Sequence, residues 1–360
     1  MVKLLGAPWG AIAALRASTF QRGWRHVAQL PLPTISVGGL SVGGVGKTPA
    51  VAAVAELLIA MGTRPAVLSR GYRREGREPL LVSCGDGRVL VPARRAGDEP
   101  FWLARALPRA AVAVASRREA AAELVIAAAP LDVFLLDDAF QHLRVSRDVN
   151  FLVVDASAPF WKDCPMPAGR LRERPSAASR ADAFLLVSTG EIDVLPSLRS
   201  RYPDRPVFEL ESMRPAAWSL ARYSAGATLE AEGSPPSTAA LPFDSTPPTD
   251  LPQPLYAFAG IARPNRFFEN LKNAGMALAG CRDFPDHHAY RSSDLHRLDR
   301  EAQVAGAAAL ITTEKDAVRI PAEARSVETY VWRYRLQPQR PEVLGKWLLG
   351  RIRSAKRGAR

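Results

Sequence analysis

The sequence predicts an α/β protein: a mainly parallel β-sheet flanked by helices, followed by a second, smaller α/β unit. Three observations carry this. Short apolar runs alternate with longer helix-like stretches from residue 34 onward, the rhythm of a sheet covered by crossover helices. One of those runs leads through a glycine-rich turn directly into a helix. Composition then changes abruptly at residues 225–254, and the alternation resumes behind them.

Residues 34–39 form the first expected strand, and residues 49–61, rich in Ala, Val and Leu, the first core helix. Strands follow at 66–69 and 89–92, a helix at 98–107, a strand at 111–115 and a helix at 116–128. The runs 133–136, 151–154 and 183–187 are apolar throughout, as strands buried on both faces are. Residues 225–254 contain Gly233-Ser234-Pro235-Pro236 and then Pro242, Pro247, Pro248, Pro252 and Pro254, without an apolar period. They are expected to be a linker or insertion. Behind them come a strand at 255–261, helices at 265–274 and 294–308, strands at 310–313 and 329–334, and a closing amphipathic helix at 342–352. The division expected is an N-terminal amphipathic segment (1–30), a nucleotide-binding unit (31–224), the Pro-rich stretch (225–254) and a smaller α/β unit (255–360) that contributes to the site.

The 360 residues carry a net charge of +12, and of 48 basic residues only seven are Lys. Arginine's planar fork suits phosphate and carboxylate, so anionic partners are expected. Cys84, Cys164 and Cys281 are too sparse for a disulfide framework or a cysteine metal site. No run approaches the roughly 18–20 apolar residues of a membrane span. Gly6, Pro8 and Gly10 interrupt the signal-like start at Lys3, and the segment is read as retained. Residues 9–27 mix Trp9, Ile12, Leu15, Phe20 and Trp24 with Arg16, Arg22, Arg25 and His26. That composition suits either a helix lying in a membrane interface or one packed on the protein's own core.

The strongest local motif is Ser41-Val42-Gly43-Gly44-Val45-Gly46-Lys47-Thr48, between an expected strand and an expected helix. In that context it reads as a P-loop, or Walker A motif. Glycines turn backbone N–H groups toward phosphate oxygens and the helix N-terminus favours negative charge. Lys47 is the candidate for the β- and γ-phosphates of ATP, and Thr48 for Mg²⁺. Ser41 stands where the common motif has Gly. An apolar strand ending in Asp137-Asp138 supplies the acidic partner a P-loop requires for Mg²⁺. Thr313-Glu314-Lys315-Asp316 has the wrong spacing for a guanine reader, which counts against a GTPase. Alternatives at this point are a regulatory nucleotide switch or metallochaperone-type NTPase, and a nucleic-acid-stimulated ATPase. No nucleic-acid motif accompanies the charge, so no nucleic-acid partner is expected.

Further blocks occur in order along the chain: Leu68-Ser69-Arg70-Gly71-Tyr72, Gly97-Asp98-Glu99-Pro100, Asp137-Asp138-Ala139-Phe140-Gln141-His142 with Arg147-Asp148, and Pro167-Ala168-Gly169-Arg170-Leu171-Arg172-Glu173. The second unit carries Ala259-Gly260-Ile261, Arg266-Phe267-Phe268, Phe284-Pro285-Asp286-His287 and Thr312-Thr313-Glu314-Lys315-Asp316-Ala317. With these the chain resembles the tetraacyldisaccharide 4′-kinases of lipid A biosynthesis in Gram-negative bacteria. The family accepts Ser or Thr at the position of Ser41. Gly39, Ala139-Phe140, the stretch before Pro167 and the Pro-rich segment depart from its pattern.

The resemblance implies phosphoryl transfer from ATP to the 4′-hydroxyl of an acylated glucosamine disaccharide 1-phosphate. It implies Asp98 as base assisted by His287, a site assembled by closure of the second unit, and Mg²⁺ held by Thr48, Asp137 and Asp138. Arg172 and Glu173 match active-site positions, with Arg70, Tyr72, Arg117, Gln141 and His142 as further candidates. A lipid acceptor implies a peripheral enzyme on the cytoplasmic face of the inner membrane, with residues 9–27 against an anionic surface.

Overall fold

A computed structural model describes residues 2–44, 46–188, 193–213, 216–225, 250–321 and 328–358. Val45 and most of the Pro-rich stretch lie outside the described residues. The first unit runs α1 (Val2–Gln21), β1 (Thr34–Gly38), α2 (Lys47–Ala60), β2 (Pro65–Ser69), β3 (Leu80–Cys84), α3 (Ala93–Ala96), α4 (Asp98–Ala106), β4 (Ala111–Val114), α5 (Arg118–Ala128), β5 (Val133–Asp137), β6 (Val149–Asp155), β7 (Ala183–Val187), α6 (Leu195–Arg201) and β8 (Val207–Ser212). The chain continues through β9 (Ala216–Ser219), α7 (Leu220–Ala225), β10 (Leu255–Ala259), α8 (Pro264–Asn273), β11 (Leu278–Asp283), α9 (Ser292–Val304), β12 (Ala309–Thr313), α10 (Glu314–Ala317), β13 (Thr329–Arg333), β14 (Leu336–Pro338) and α11 (Pro341–Gly358).

The strands form a nine-stranded sheet, β14-β8-β7-β6-β1-β5-β2-β4-β3, and a five-stranded sheet, β11-β10-β12-β13-β9. Within the large sheet β8, β7, β6, β1, β5, β2 and β4 are parallel, and only the edges β3 and β14 run antiparallel. β1 lies between β5 and β6, so the loops leaving these three strands meet at one end of the sheet. Ligands of open parallel sheets bind at that end. Helix α2 is buried almost all round because Val51, Val54 and Leu58 face the sheet and its neighbours at once.

The sheets exchange strands in a way the expected division at 225–254 does not follow. β9 precedes the Pro-rich stretch yet pairs with β13 of the small sheet. β14 returns to pair with β8, and α11 buries Leu344 and Leu348 in the large core. The second unit is thus an insertion between β8 and β14. Residues 89–92 are not a strand. The segment that pairs with β4 is β3, earlier in the chain, and residues 89–92 lead into α3. Helix α1 starts well before Trp9 and stops at Gln21, so residues 22–27 are not helical.

A buried ion cluster joins the units where β6 meets the start of α8. Asp155, with a fully buried side chain, accepts from Arg263 Nη1 at 2.7 Å and Arg266 Nη1 at 2.8 Å. Its other oxygen holds the turn at Ser157. Removing one partner of a buried pair leaves unpaired charge in a poorly solvated place. Asp155→Ala should therefore lower the unfolding free energy by about 3–5 kcal/mol, read by denaturant titration. A change below about 1 kcal/mol, the level of exposed pairs, would contradict this.

Candidate active site

A cleft of about 920 Å³ opens between the two units, lined from the large sheet by the P-loop and the ends of β2 and β5, and from the small sheet by the loops around Ile261, His287 and Lys315. Gly46, the N-cap of α2, has a φ of 82°, a left-handed conformation that glycine adopts without penalty. An added Cβ there would also crowd Val187. The strand-like segment 164–172 fixes the start of the loop: Val42 N–H donates to Arg170 O and Arg172 N–H to Leu40 O.

Lys47 is buried at the loop's end. Its amine donates to the Ser41 carbonyl at 3.3 Å and lies 3.2 Å from Asp138 Oδ2. Burial pushes this amine below the ordinary lysine range, against the attraction of Asp138. Arg172 Nη2 reaches the same Asp138 oxygen at 2.8 Å, and its Nη1 meets Gln141 Oε1 at 3.3 Å. Burial alone would raise the Asp138 carboxyl, but Lys47 and Arg172 together hold it below its usual range. Asp137 accepts from Ser69 Oγ at 2.8 Å. Burial, reinforced by Glu99 and Asp138, pushes its carboxyl up to about 7. Oδ1 of Asp137 and Oδ1 of Asp138 are both buried without a hydrogen-bond partner. Such oxygens are costly unless a donor or a cation meets them, and two carboxylates beside a P-loop suit Mg²⁺, which takes few protein ligands. Among the described residues no three His, Cys, Asp or Glu side chains converge as a self-sufficient metal cluster.

Asp98 and His287 meet across the cleft. Asp98 opens α4 behind Gly97, whose φ of 89° and close approach to Gly71 require glycine. His287 Nδ1 lies 2.9 Å from Asp98 Oδ2. His287 and Asp138 both hold positive φ, 63° and 44°, a conformation rare outside glycine that concentrates at functional sites. The His287 backbone is pinned by its N–H to Gly260 O at 3.0 Å. Tyr72 sets its ring edge-on to His287 with centroids 5.8 Å apart.

Sequence reasoning placed most of these groups but missed several. Arg117 points away, exposed and paired with Glu119 at 3.7 Å. It is Arg118 that is buried in the cleft wall, donating to Ala115 O at 2.9 Å. α5 begins at residue 118, two residues later than expected, so Arg117 is an extended N-cap residue outside the helix while Arg118 opens it. Glu173 lines the cleft, but both its carboxylate oxygens are taken by Arg180 at 2.8 Å. Arg70, Gln141 and His142 also line the cleft. Ser69, and Lys315, which pairs with Glu99 at 2.7 Å, were not singled out. Their motifs marked them, but periodicity cannot show which residues of a loop turn inward.

The fold and this site define a P-loop enzyme that handles nucleotide phosphates, with a second unit lining the same cleft. The profile of the tetraacyldisaccharide-1-P 4′-kinase family matches residues 1–353, and the chain belongs to that family. It is 40% identical over 327 residues to the tetraacyldisaccharide 4′-kinase of Geobacter metallireducens, covering 89% of this chain and 88% of that protein. It is 39% identical over 321 residues to that of Anaeromyxobacter dehalogenans, covering 88% and 80%. A crystal structure of Aquifex aeolicus LpxK, described as an "apo" form in complex with ATP, superposes with a TM-score of 0.72 at 28% identity over 97% of both chains.

His142 offers a test of the cleft wall. Burial first, then Arg118 and Arg147, push its imidazole down from 6.5 to about 4. The unfolded chain takes up that proton near 6.5 and the folded chain only near 4. This contribution to stability is therefore full above 6.5 and is lost as pH falls toward 4. His142→Gln should gain on the wild type in denaturant titrations as the pH is lowered through that window. A gap that does not vary with pH would contradict a neutral, buried His142.

Proposed function

We propose that this chain transfers the γ-phosphoryl group of ATP to the 4′-hydroxyl of an acylated glucosamine disaccharide 1-phosphate. The observation that carries the reading is the 2.9 Å contact between Asp98 and His287, whose imidazole lines the same cleft as Lys47. A sugar hydroxyl is a weak nucleophile, and a positioned base raises its reactivity as the P–O bond forms.

Lys47 exchanges its contact with Asp138 for the β- and γ-phosphates, helped by the N–H groups of Gly43, Gly44, Gly46, Lys47 and Thr48. Thr48, Asp137 and Asp138 are the residues that would hold Mg²⁺, and the two unpartnered carboxylate oxygens support this assignment. When bound, Mg²⁺ supplies charge neutralisation at the phosphates. Asp98 takes the proton of the 4′-hydroxyl while that oxygen bonds to the γ-phosphorus and the bond to the β-bridging oxygen breaks, releasing ADP. His287 orients Asp98 and shares the charge. Arg172, Arg118, Arg70 and Gln141 face the cleft with groups that suit the acceptor's phosphate and hydroxyls.

The acceptor's acyl chains call for a membrane surface, and α1 supports one. One side of α1 buries Ala17 and Phe20, and Trp9 Nε1 donates to Arg172 O at 3.1 Å. The other side leaves Ile12 and Leu15 65% exposed, with Trp24 beyond the helix 68% exposed. Trp9, Ile12 and Arg16 also line the cleft mouth, so an interfacial α1 would deliver a lipid headgroup to Asp98. Among the described residues no helix is long and apolar enough to cross a membrane. The placement proposed is peripheral, on the cytoplasmic face of the inner membrane, against anionic lipid.

Phosphate transfer from ATP to the disaccharide 1-phosphate should fall by about 10²–10⁴-fold in Asp98→Asn, and Lys47→Ala should abolish it. An Asp98→Asn variant with wild-type turnover removes Asp98 from the chemistry. Ile12→Ser with Leu15→Ser should reduce sedimentation with vesicles containing phosphatidylglycerol while leaving thermal stability nearly unchanged. Equal sedimentation would rule out α1 as the membrane contact.

A further inference from the structure

The side chains of the segment Glu314 to Arg319 reach both walls of the cleft. Glu314 holds Arg335 through two hydrogen bonds. Asp316, fully buried, accepts from Gly260 N–H at 2.9 Å, Tyr290 at 2.9 Å and Thr313 at 2.6 Å. Lys315 and Arg319, one helical turn apart, each face one of the two adjacent acids that open α4: Lys315 meets Glu99 at 2.7 Å and Arg319 Nε lies 3.4 Å from Asp98 Oδ2.

Arg319 is the better connected of the two. Its Nη1 donates to His288 O at 3.1 Å, and its Nη2 to Gly260 O at 3.2 Å and Asp316 Oδ1 at 3.0 Å. Its Nε donates to Lys315 O at 3.0 Å. Gly260 O is also the acceptor for the His287 N–H. One planar guanidinium, only 10% exposed, thus grips the loop carrying His287 from both sides and presents its charge to the carboxylate His287 must meet. Arg319 and His287 belong to the second unit and Asp98 to the first, 189 residues from His287, so the guanidinium bridges the two. We propose that Arg319 is a positioning residue for phosphoryl transfer, fixing the Asp98–His287 contact across the cleft. This rests on the proposed kinase function for its kinetic consequence but on geometry alone for the contact itself.

Two measurements on the full-length protein test it. In the acceptor assay, Arg319→Gln should lose about 10²-fold in kcat with KM for ATP within about twofold, and Arg319→Lys should recover part of the loss. In a His287→Ala background, Arg319→Gln should cost less than about threefold more, because the contact it serves is already gone. Equal losses in both backgrounds, or a loss confined to KM for ATP, would overturn the proposal. In ¹⁵N-labelled protein, the His287 Nδ1 proton should give a hydrogen-bonded resonance that shifts or vanishes in Arg319→Gln. Its persistence unchanged overturns the proposal whatever the acceptor. Wild-type protein that fails to phosphorylate the disaccharide, while Arg319→Gln still loses the resonance, refutes the acceptor and upholds the positioning role. Arg319→Lys, which keeps the charge and stem, carries both measurements should Arg319→Gln not fold.

Discussion

Asp98 and His287 come from different sheets, and much of the molecule is arranged to keep them 2.9 Å apart. On one wall, Gly97 accepts a conformation that a side chain would oppose, which lets α4 begin beside Gly71 with Asp98 against His287. On the other, a Cβ on Gly260 would press on His288, Pro285 and Asp316, so only glycine lets the His287 turn close so tightly. Asp155 with Arg263 and Arg266, and Glu99 with Lys315, tie the walls together on either side of the contact. These ties are polar, made of ion pairs between side chains of the two units.

The phosphate end obeys the opposite logic. Lys47 and Asp137 are ionisable groups taken out of water, with the half-buried Asp138 beside them. Burial of this kind weakens a fold unless every charge is matched. Here the matching is incomplete, with one oxygen of each carboxylate unpartnered and Asp137 pushed up to about 7. A site that departs from the rules obeyed elsewhere in the molecule is where function is expected. The proposed phosphates and Mg²⁺ would complete the charge balance that the chain leaves open.

Much of this was legible beforehand. The apolar strands β1, β5, β6 and β7 stand out because both their faces are buried, and the P-loop is marked by glycines whose spacing has a mechanical purpose. Asp98 and His287 were found only through resemblance, because neither has a local pattern that separates it from a helix cap or a surface loop. Edge strands were harder. β11 is half exposed and carries Gly280, Arg282 and Asp283, so it lacks the alternation that marks a strand. The return of β14 to the large sheet is a long-range pairing of a three-residue strand, which no window of sequence can reveal. Arg117 and Arg118 are adjacent and chemically identical, and only the start of α5 decides which one faces the cleft.

The measurement closest to the central claim is the position of the phosphate in the product. The protein, ATP, Mg²⁺ and the tetraacylated disaccharide 1-phosphate are incubated in mixed micelles, and the product is analysed by ¹H–³¹P correlation NMR. A kinase built on the Asp98–His287 contact predicts one new phosphomonoester, coupled to the 4′-proton and absent with Asp98→Asn. A phosphate on another hydroxyl, or ADP and free phosphate with the disaccharide unchanged, would contradict it.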